Sequence, residues 1–229
     1  MSNPKALVTG ASSGIGLATA RTLFSSGYSV EGIARDFSNT DFDQLKTTEL
    51  DLSQIDDLAS GLQQFKTAPD VLVLNAGYGQ FGGIEQFSHD QIRRLVDTNL
   101  VSNLFLIKHF LPKMKQQGSG DIVLIGSESA VQGAKAGAVY CATKFAIRGL
   151  AQSLRADSST AGIRVILVNP GPVNSDFFDQ LNFEPQPGDE FEIPAESVAD
   201  AIMSALQQPR SVVIDEINMQ PIKRSFRKK

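Results

Sequence analysis

The sequence predicts an α/β protein: a doubly wound parallel sheet with helices on both faces, three layers in one domain. Three observations predict it. Short apolar, β-branched runs alternate with helical patterns along nearly the whole chain, an order that calls for parallel strands joined by helical crossovers. Gly10, Asn75, Ser127 and Gly171 each stand just past a predicted strand, and in such sheets ligands collect beyond the carboxyl ends of the strands. Finally, 229 residues with 41% hydrophobic and 20% charged content can bury a core but leave no room for a second domain.

Taken in order, Lys5 to Thr9 is a short apolar strand that runs into Gly10-Ala11-Ser12-Ser13-Gly14-Ile15-Gly16 and then into a helical pattern through about Phe24. Strand, glycine loop and helix is the order a dinucleotide site requires. The glycines let the backbone approach a pyrophosphate, and the helix amino terminus offers unpaired N–H groups and a positive dipole end. Tyr28 to Ala34 reads as a second strand, followed by Arg35 and Asp36. A third ends in Glu49-Leu50-Asp51-Leu52, with Ser53 as N-cap of a helix to about Gln64. Val71 to Leu74 is a buried fourth strand leading to Asn75-Ala76-Gly77. From Ser88 a long helical stretch carries apolar residues at three-to-four spacing up to Pro112, with Asn99 polar among them.

The stretch from Asp121 to Leu154 holds the most chemistry. Asp121 to Gly126 is a β-branched buried strand that ends on Ser127, and Tyr140 opens a helix in which Lys144 follows four positions later. That spacing sets phenol and ammonium on one helix face, about a turn apart. A free tyrosine keeps its proton to about pH 10, and a lysine charge within roughly 4–6 Å is expected to lower that value toward the working range of a general acid/base. Ser127 is placed to hydrogen-bond a substrate oxygen presented to Tyr140.

Ile163 to Val168 is a further strand, followed by Asn169-Pro170-Gly171-Pro172-Val173-Asn174-Ser175. Residues 176–194, with Phe177, Phe178, Phe183, Phe191 and three prolines, read as an irregular lid of aromatic anchors and stiff turns. Glu196 to Gln207 is a last amphipathic helix and Ser211 to Ile214 a last strand. Residues 223–229 form a tail with five basic groups, expected to be solvated and mobile.

Together these motifs resemble the short-chain dehydrogenases/reductases, a family with a Rossmann-type fold. The glycine loop is T-G-x-x-x-G-x-G, the fourth strand ends in N-A-G, Ser127 stands thirteen positions before Tyr140, Tyr140-Cys141-Ala142-Thr143-Lys144 gives Tyr-x-x-x-Lys, and Pro170-Gly171 follows the sixth strand. The resemblance implies catalytic roles for Asn99, Ser127, Tyr140 and Lys144. Asn99 would hold a relay water on its backbone carbonyl, and Lys144 would also orient the cofactor ribose. Cofactor contacts are implied for Gly10, Ser12, Ser13, Gly14, Ile15 and Gly16, for Asp51 and Leu52 at the adenine, for Asn75, Ala76 and Gly77, and for Pro170, Gly171, Val173 and Ser175. Ser175 replaces the commoner threonine. Arg35 suits a 2′-phosphate, Ala34 stands where NAD-users carry an acid, and NADP is favoured over NAD. Against it stand Asp36 and the absence of a basic residue at Ser13. The resemblance further implies a homodimer or homotetramer through the helices at Asn99 to Met114 and Tyr140 to Ala156.

The net charge of −4 and pI near 5.2 give no general pull toward nucleic acid. No apolar run approaches membrane-spanning length, and a strand pattern by Lys5 leaves no room for a targeting segment, so a cytoplasmic protein is expected. Cys141 alone excludes an internal disulfide and reads as a packing residue. No metal-ligand spacing, repeat or Ser-His-Asp pattern is present, and His89 and His109 read as helix-surface residues. The function expected is hydride exchange between NADP(H) and a small alcohol or carbonyl substrate. Two other readings stay open: a catalytically idle NADP-binding sensor or interaction protein, and a non-redox use of the tyrosine.

Overall fold

The computed structural model describes residues 3–229. Seven parallel strands form one sheet in the order β10-β6-β5-β4-β1-β2-β3, where β1 is Lys5–Thr9, β2 Ser29–Ala34, β3 Lys46–Glu49, β4 Val71–Leu74, β5 Gly120–Ile125, β6 Ile163–Pro170 and β10 Glu216–Met219. The crossover helices are α1 (Gly14–Ser25), α2 (Ile55–Gly61), α3 (His89–Val96), α4 (Ser102–Gln117), α5 (Ala138–Ser158) and α6 (Ala195–Leu206). Strand order reverses between β1 and β4, and such a switch point opens a crevice at the carboxyl ends of the strands.

The two faces of the sheet are written into each strand by alternation. Val8, Val71, Val73, Val123 and Val168 point to one side, where α1 and α6 cover them. Leu7, Leu72, Leu74, Leu124 and Leu167 point to the other, under α2, α4 and α5. The shorter valines face the side where α1 presents Ala18 and Ala20 and α6 presents Ala199 and Ala205. The longer leucines meet Phe110 and Met114 of α4. Matching side-chain length to helix distance lets both layers fill at interior density.

The edge opposite the crevice is closed by a buried ion cluster. Arg164, at the start of β6, donates to Asp121 of β5 at 2.6 Å and 3.1 Å and to the carbonyls of Leu206 and Gln208, the former the last residue of α6. Arg210 adds a second guanidinium on the same carboxylate at 2.8 Å.

Several boundaries differ from expectation. The last strand is Glu216–Met219, not Ser211 to Ile214. The Val212 carbonyl accepts from Arg164 and its amide donates to the Pro209 carbonyl, so the centre of this β-branched run is engaged in a turn rather than in pairing with β6. Helix α4 continues through Pro112 to Gln117 and ends at Gly118 in the left-handed region, φ 70°. Lys108, whose carbonyl loses its donor to the proline, lies on the exposed helix face, where water can substitute. Ser53 caps nothing; it donates to Asp51, and α2 starts at Ile55. His109 is half-buried, its Nε2 3.0 Å from the Phe65 carbonyl.

The remaining strands are short. β7 (Val173–Asn174) pairs with β9 (Ile193–Pro194), and β8 (Phe183–Pro185) pairs antiparallel with β11 (Phe226–Lys228). The segment 223–229 is therefore not a free tail: its terminal strand is hydrogen-bonded to β8.

Candidate active site

The glycine-loop side of the crevice is built from backbone. Asn75 reaches from the end of β4 to donate through Nδ2 to the carbonyls of Thr9 and Gly10, at 3.0 Å and 3.2 Å. The Thr9 hydroxyl accepts from the amides of Asn75 and Ala76 at 3.0 Å and 3.1 Å. These bonds lock the two strands at the switch point and fix the loop that follows. Gly16 is packed so tightly that an added Cβ would overlap the Gly10 carbonyl. Gly14, with φ 52°, brings the loop against Ser175, whose Cβ a Gly14 side chain would meet at 3.1 Å. The loops at residues 10–16 and 171–175 therefore close on one cradle.

That cradle fits a phosphate. Helix α1 begins after Ser13 with no side-chain cap and no acidic residue in its first turn, so its leading amides are left for an external anion. Asp36 turns both carboxylate oxygens onto Ser38, at 2.7 Å to the amide and 2.9 Å to the hydroxyl. Those bonds, the backbone one first, hold the carboxyl below its ordinary range. Arg35 beside it is exposed. Asp51 is likewise bonded to Ser53. Burial pushes its carboxyl up, but the Ser53 and Gln54 bonds and the nearby Arg35 charge outweigh this and leave it lowered. Leu52 is buried.

On the other side, β5 delivers Ser127 and α5 delivers Tyr140 and Lys144 to one place. Tyr140 is 4% exposed and Lys144 7%. The ammonium stands 5.8 Å from the phenol ring centre and donates to the Ile125 carbonyl at 3.0 Å. One expectation fails here. Desolvation drives the Tyr140 pKa well above its ordinary value, only partly offset by the Ser127 hydroxyl facing it, while burial lowers Lys144 to about 8. Burial outweighs the attraction of the lysine charge and keeps this phenol protonated. The Ser127 hydroxyl also accepts from the Ser129 amide at 3.1 Å.

Asn99 lies in a π-helical turn, Asp97–Val101, inserted between α3 and α4, and is 1% exposed. Such widened turns are frequent at functional sites. Its side chain does not face solvent. It accepts from the Tyr78 amide at 3.0 Å and donates to the Tyr78 carbonyl at 2.9 Å, pinning the loop after Gly77. Its backbone carbonyl accepts from Asn103 Nδ2 at 2.9 Å. Cys141 is buried, its sulfur accepting from the Ala134 amide at 3.3 Å, as a packing residue.

The roof is aromatic. Phe81 and Phe177 lie 5.2 Å and 6.0 Å from the Tyr140 ring, and Phe177 rests on Gly79, where no Cβ would fit. The sequence marked Phe177 as a lid residue but gave no sign of Phe81, Phe226, or the pairing of Glu128 with Arg224. Those partners are up to 96 positions apart. Pro170 ends β6 opposite Met219, whose carbonyl accepts from the Gly171 amide, Val173 is buried with its neighbours paired to Ile193, and Ser175 accepts from the Phe177 amide at 3.4 Å.

A family model described as short chain dehydrogenase matches residues 4–186. The chain belongs to the short-chain dehydrogenase family. A relative of this family member, an uncharacterized oxidoreductase of Staphylococcus epidermidis, is 32% identical over 226 residues, covering 95% of this chain and 96% of the relative. Among solved structures, an alcohol dehydrogenase from the archaeon Thermococcus sibiricus complexed with 5-hydroxy-NADP superimposes with a TM-score of 0.84 at 26% identity, over 97% of this chain and 98% of that one. Serine dehydrogenase from Escherichia coli gives 0.82 at 26% identity, over 96% and 99%. The chain has no helix among its described residues long and apolar enough to cross a membrane.

Proposed function

We propose that the protein is an NADP(H)-dependent oxidoreductase that exchanges a hydride between nicotinamide and a small alcohol or carbonyl compound, acting at a CH–OH group. The observation that carries this reading is the meeting of a buried phenol, an ammonium one helical turn along and a serine hydroxyl beside an uncapped, glycine-built helix entrance. When bound, the cofactor supplies or accepts the hydride. Gly10, Ser12, Ser13, Gly14, Ile15 and Gly16 hold the pyrophosphate, Asp51 and Leu52 the adenine, and Arg35 the 2′-phosphate. Asn75, Ala76 and Gly77 flank the nucleoside. Pro170, Gly171, Val173 and Ser175 hold the nicotinamide end, and Tyr140 and Lys144 meet the ribose.

Tyr140 is the general acid/base. Because burial keeps the phenol protonated, it is ready to give a proton to a carbonyl oxygen that the Ser127 hydroxyl orients. The phenolate left behind is stabilised by the Lys144 ammonium, and Asn99 closes the relay that returns the proton. Preference for NADP is supported by Arg35, which has no carboxylate partner among the described residues' ion pairs, and by the turning away of Asp36 onto Ser38. Residues 176–194 act as the substrate lid. The enzyme works in the cytoplasm as a homodimer or homotetramer through α4 and α5, where Leu104 and Phe145 are 40% and 44% exposed.

The test is a thermal-shift comparison of NADPH with NADH, followed by NADPH oxidation across a panel of aldehydes and ketones. Stabilisation by NADPH over NADH and turnover with a carbonyl are expected. NADPH binding without turnover on any carbonyl or alcohol would instead indicate an idle sensor.

A further inference from the structure

The end of the chain is built into the substrate side of the site. β11 pairs with β8 in the register Phe226 to Pro185, Arg227 to Glu184 and Lys228 to Phe183. The amides of Gln186 and Lys229 extend the ladder to the carbonyls of Ser225 and Asn182, at 3.0 Å and 3.1 Å. Phe226 lies 5.7 Å from Phe183, Phe183 lies 5.2 Å from Phe81, and Phe81 lies 5.2 Å from Tyr140. An unbroken row of rings thus connects the reactive phenol to the terminal strand. Arg224 makes two bonds, of 2.8 Å and 3.0 Å, to the carboxylate of Glu128, the residue after Ser127.

Resting on the oxidoreductase reading above, we propose that the terminal segment Arg224–Lys228 is a specificity-determining wall of the substrate chamber, and that the chamber selects uncharged, apolar carbonyl compounds such as aryl ketones over carboxylate-bearing ones. Two physical arguments converge on that class. The space over Tyr140 is occupied by Phe177, and the group that replaces one aromatic ring among others at least cost is another flat apolar group. A substrate carboxylate, in contrast, would find both guanidinium groups of that wall already paired. Arg224 is committed to Glu128, while Lys223, Arg227 and Lys229 are paired with Glu190 and Glu184. Entering such a chamber unpaired is costly for an anion, and the charge of Glu128, which already reaches the Tyr140 phenol, repels it further.

Acetophenone and benzoylformate are a matched pair that differ in a methyl against a carboxylate beside the ketone. The full-length enzyme is expected to favour acetophenone by roughly a hundredfold in kcat/KM. Phe226→Ala should raise KM for acetophenone about tenfold while leaving kcat and the NADPH dissociation constant within about twofold. Glu128→Gln, which releases Arg224, should raise kcat/KM for benzoylformate about tenfold. Circular dichroism and NADPH binding report whether each variant folds, with Phe226→Leu as the milder substitute. Equal use of both ketones by the wild type, or a Phe226→Ala variant that folds and keeps its KM, would overturn the inference. Failure of every carbonyl to oxidise bound NADPH would overturn the underlying reading instead.

Discussion

The two sides of the crevice are made of different material. The proposed nucleotide side is backbone: glycines at van der Waals contact, strand ends tied by Thr9 and Asn75, and a helix entrance without a cap. The substrate side is side chain, a run of rings from Tyr140 to Phe226 stitched by ion pairs between segments distant in sequence. A backbone site recognises what every dinucleotide shares and tolerates almost no substitution. A side-chain site can be re-cut residue by residue without disturbing the fold. The proposed chemistry sits where they meet, at Tyr140, Ser127 and Lys144.

That contrast is sharpened most by Tyr140→Phe, which removes one oxygen from the substrate side and nothing from the nucleotide side. We expect turnover to fall by about 10²–10⁴, with the NADPH dissociation constant within about twofold, measured by steady-state NADPH oxidation and by fluorescence titration. Gly16→Ala attacks the other side. The added methyl has nowhere to go against the Gly10 carbonyl and Asn75 Nδ2, and displacing them is expected to cost on the order of 2 kcal/mol. NADPH binding should weaken and the melting temperature fall, with no selectivity for the substrate offered. A variant that melts normally and binds NADPH as before would break the claim that the cradle is backbone-limited.

Arg35→Ala should have a smaller and more selective effect: NADPH binding weaker by about tenfold, NADH binding unchanged. Equal losses for both cofactors would remove Arg35 from the 2′-phosphate.

A further effect is one of pH. Burial lowers Lys144 from 10.5 to about 8. Below pH 8 the fold therefore carries a buried charge, and the unfolded chain holds its proton up to 10.5. As pH rises from 8 to 10.5, the native state has already released the proton and the unfolded state has not, so this group's contribution to stability rises with pH, by at most about 3 kcal/mol. Lys144→Met should flatten that rise in urea unfolding measured across the window. The same titration predicts that kcat/KM for carbonyl reduction falls above about pH 8, as the ammonium that supports the phenolate is lost.

How much of this was legible in the sequence follows the same division. The glycine loop, N-A-G and Tyr-x-x-x-Lys are local patterns, and the structure brings Gly14, Asn75, Ser127, Tyr140 and Ser175 to one sheet edge. The sign of the Tyr140 shift was not legible, because spacing along a helix gives the lysine's proximity but not the burial that outweighs it. Nor was the terminal strand. Five basic groups in seven residues read as solvated until their acidic partners at 128, 184 and 190 are brought alongside by the fold. Ser211 to Ile214 misled for a related reason: two arginines organise the edge of the sheet beside it, and strand propensity gives way to a turn whose Val212 carbonyl is already taken by Arg164.

The most direct test of the central claim is to reduce a carbonyl substrate with NADPH carrying deuterium at the nicotinamide C4 position, using wild type and Tyr140→Phe side by side. The account predicts deuterium on the carbinol carbon of the wild-type product, and deuterium transfer slowed by about 10²–10⁴ in a variant that binds NADPH normally. Wild-type product without deuterium, or a variant that transfers it at the wild-type rate, would contradict it.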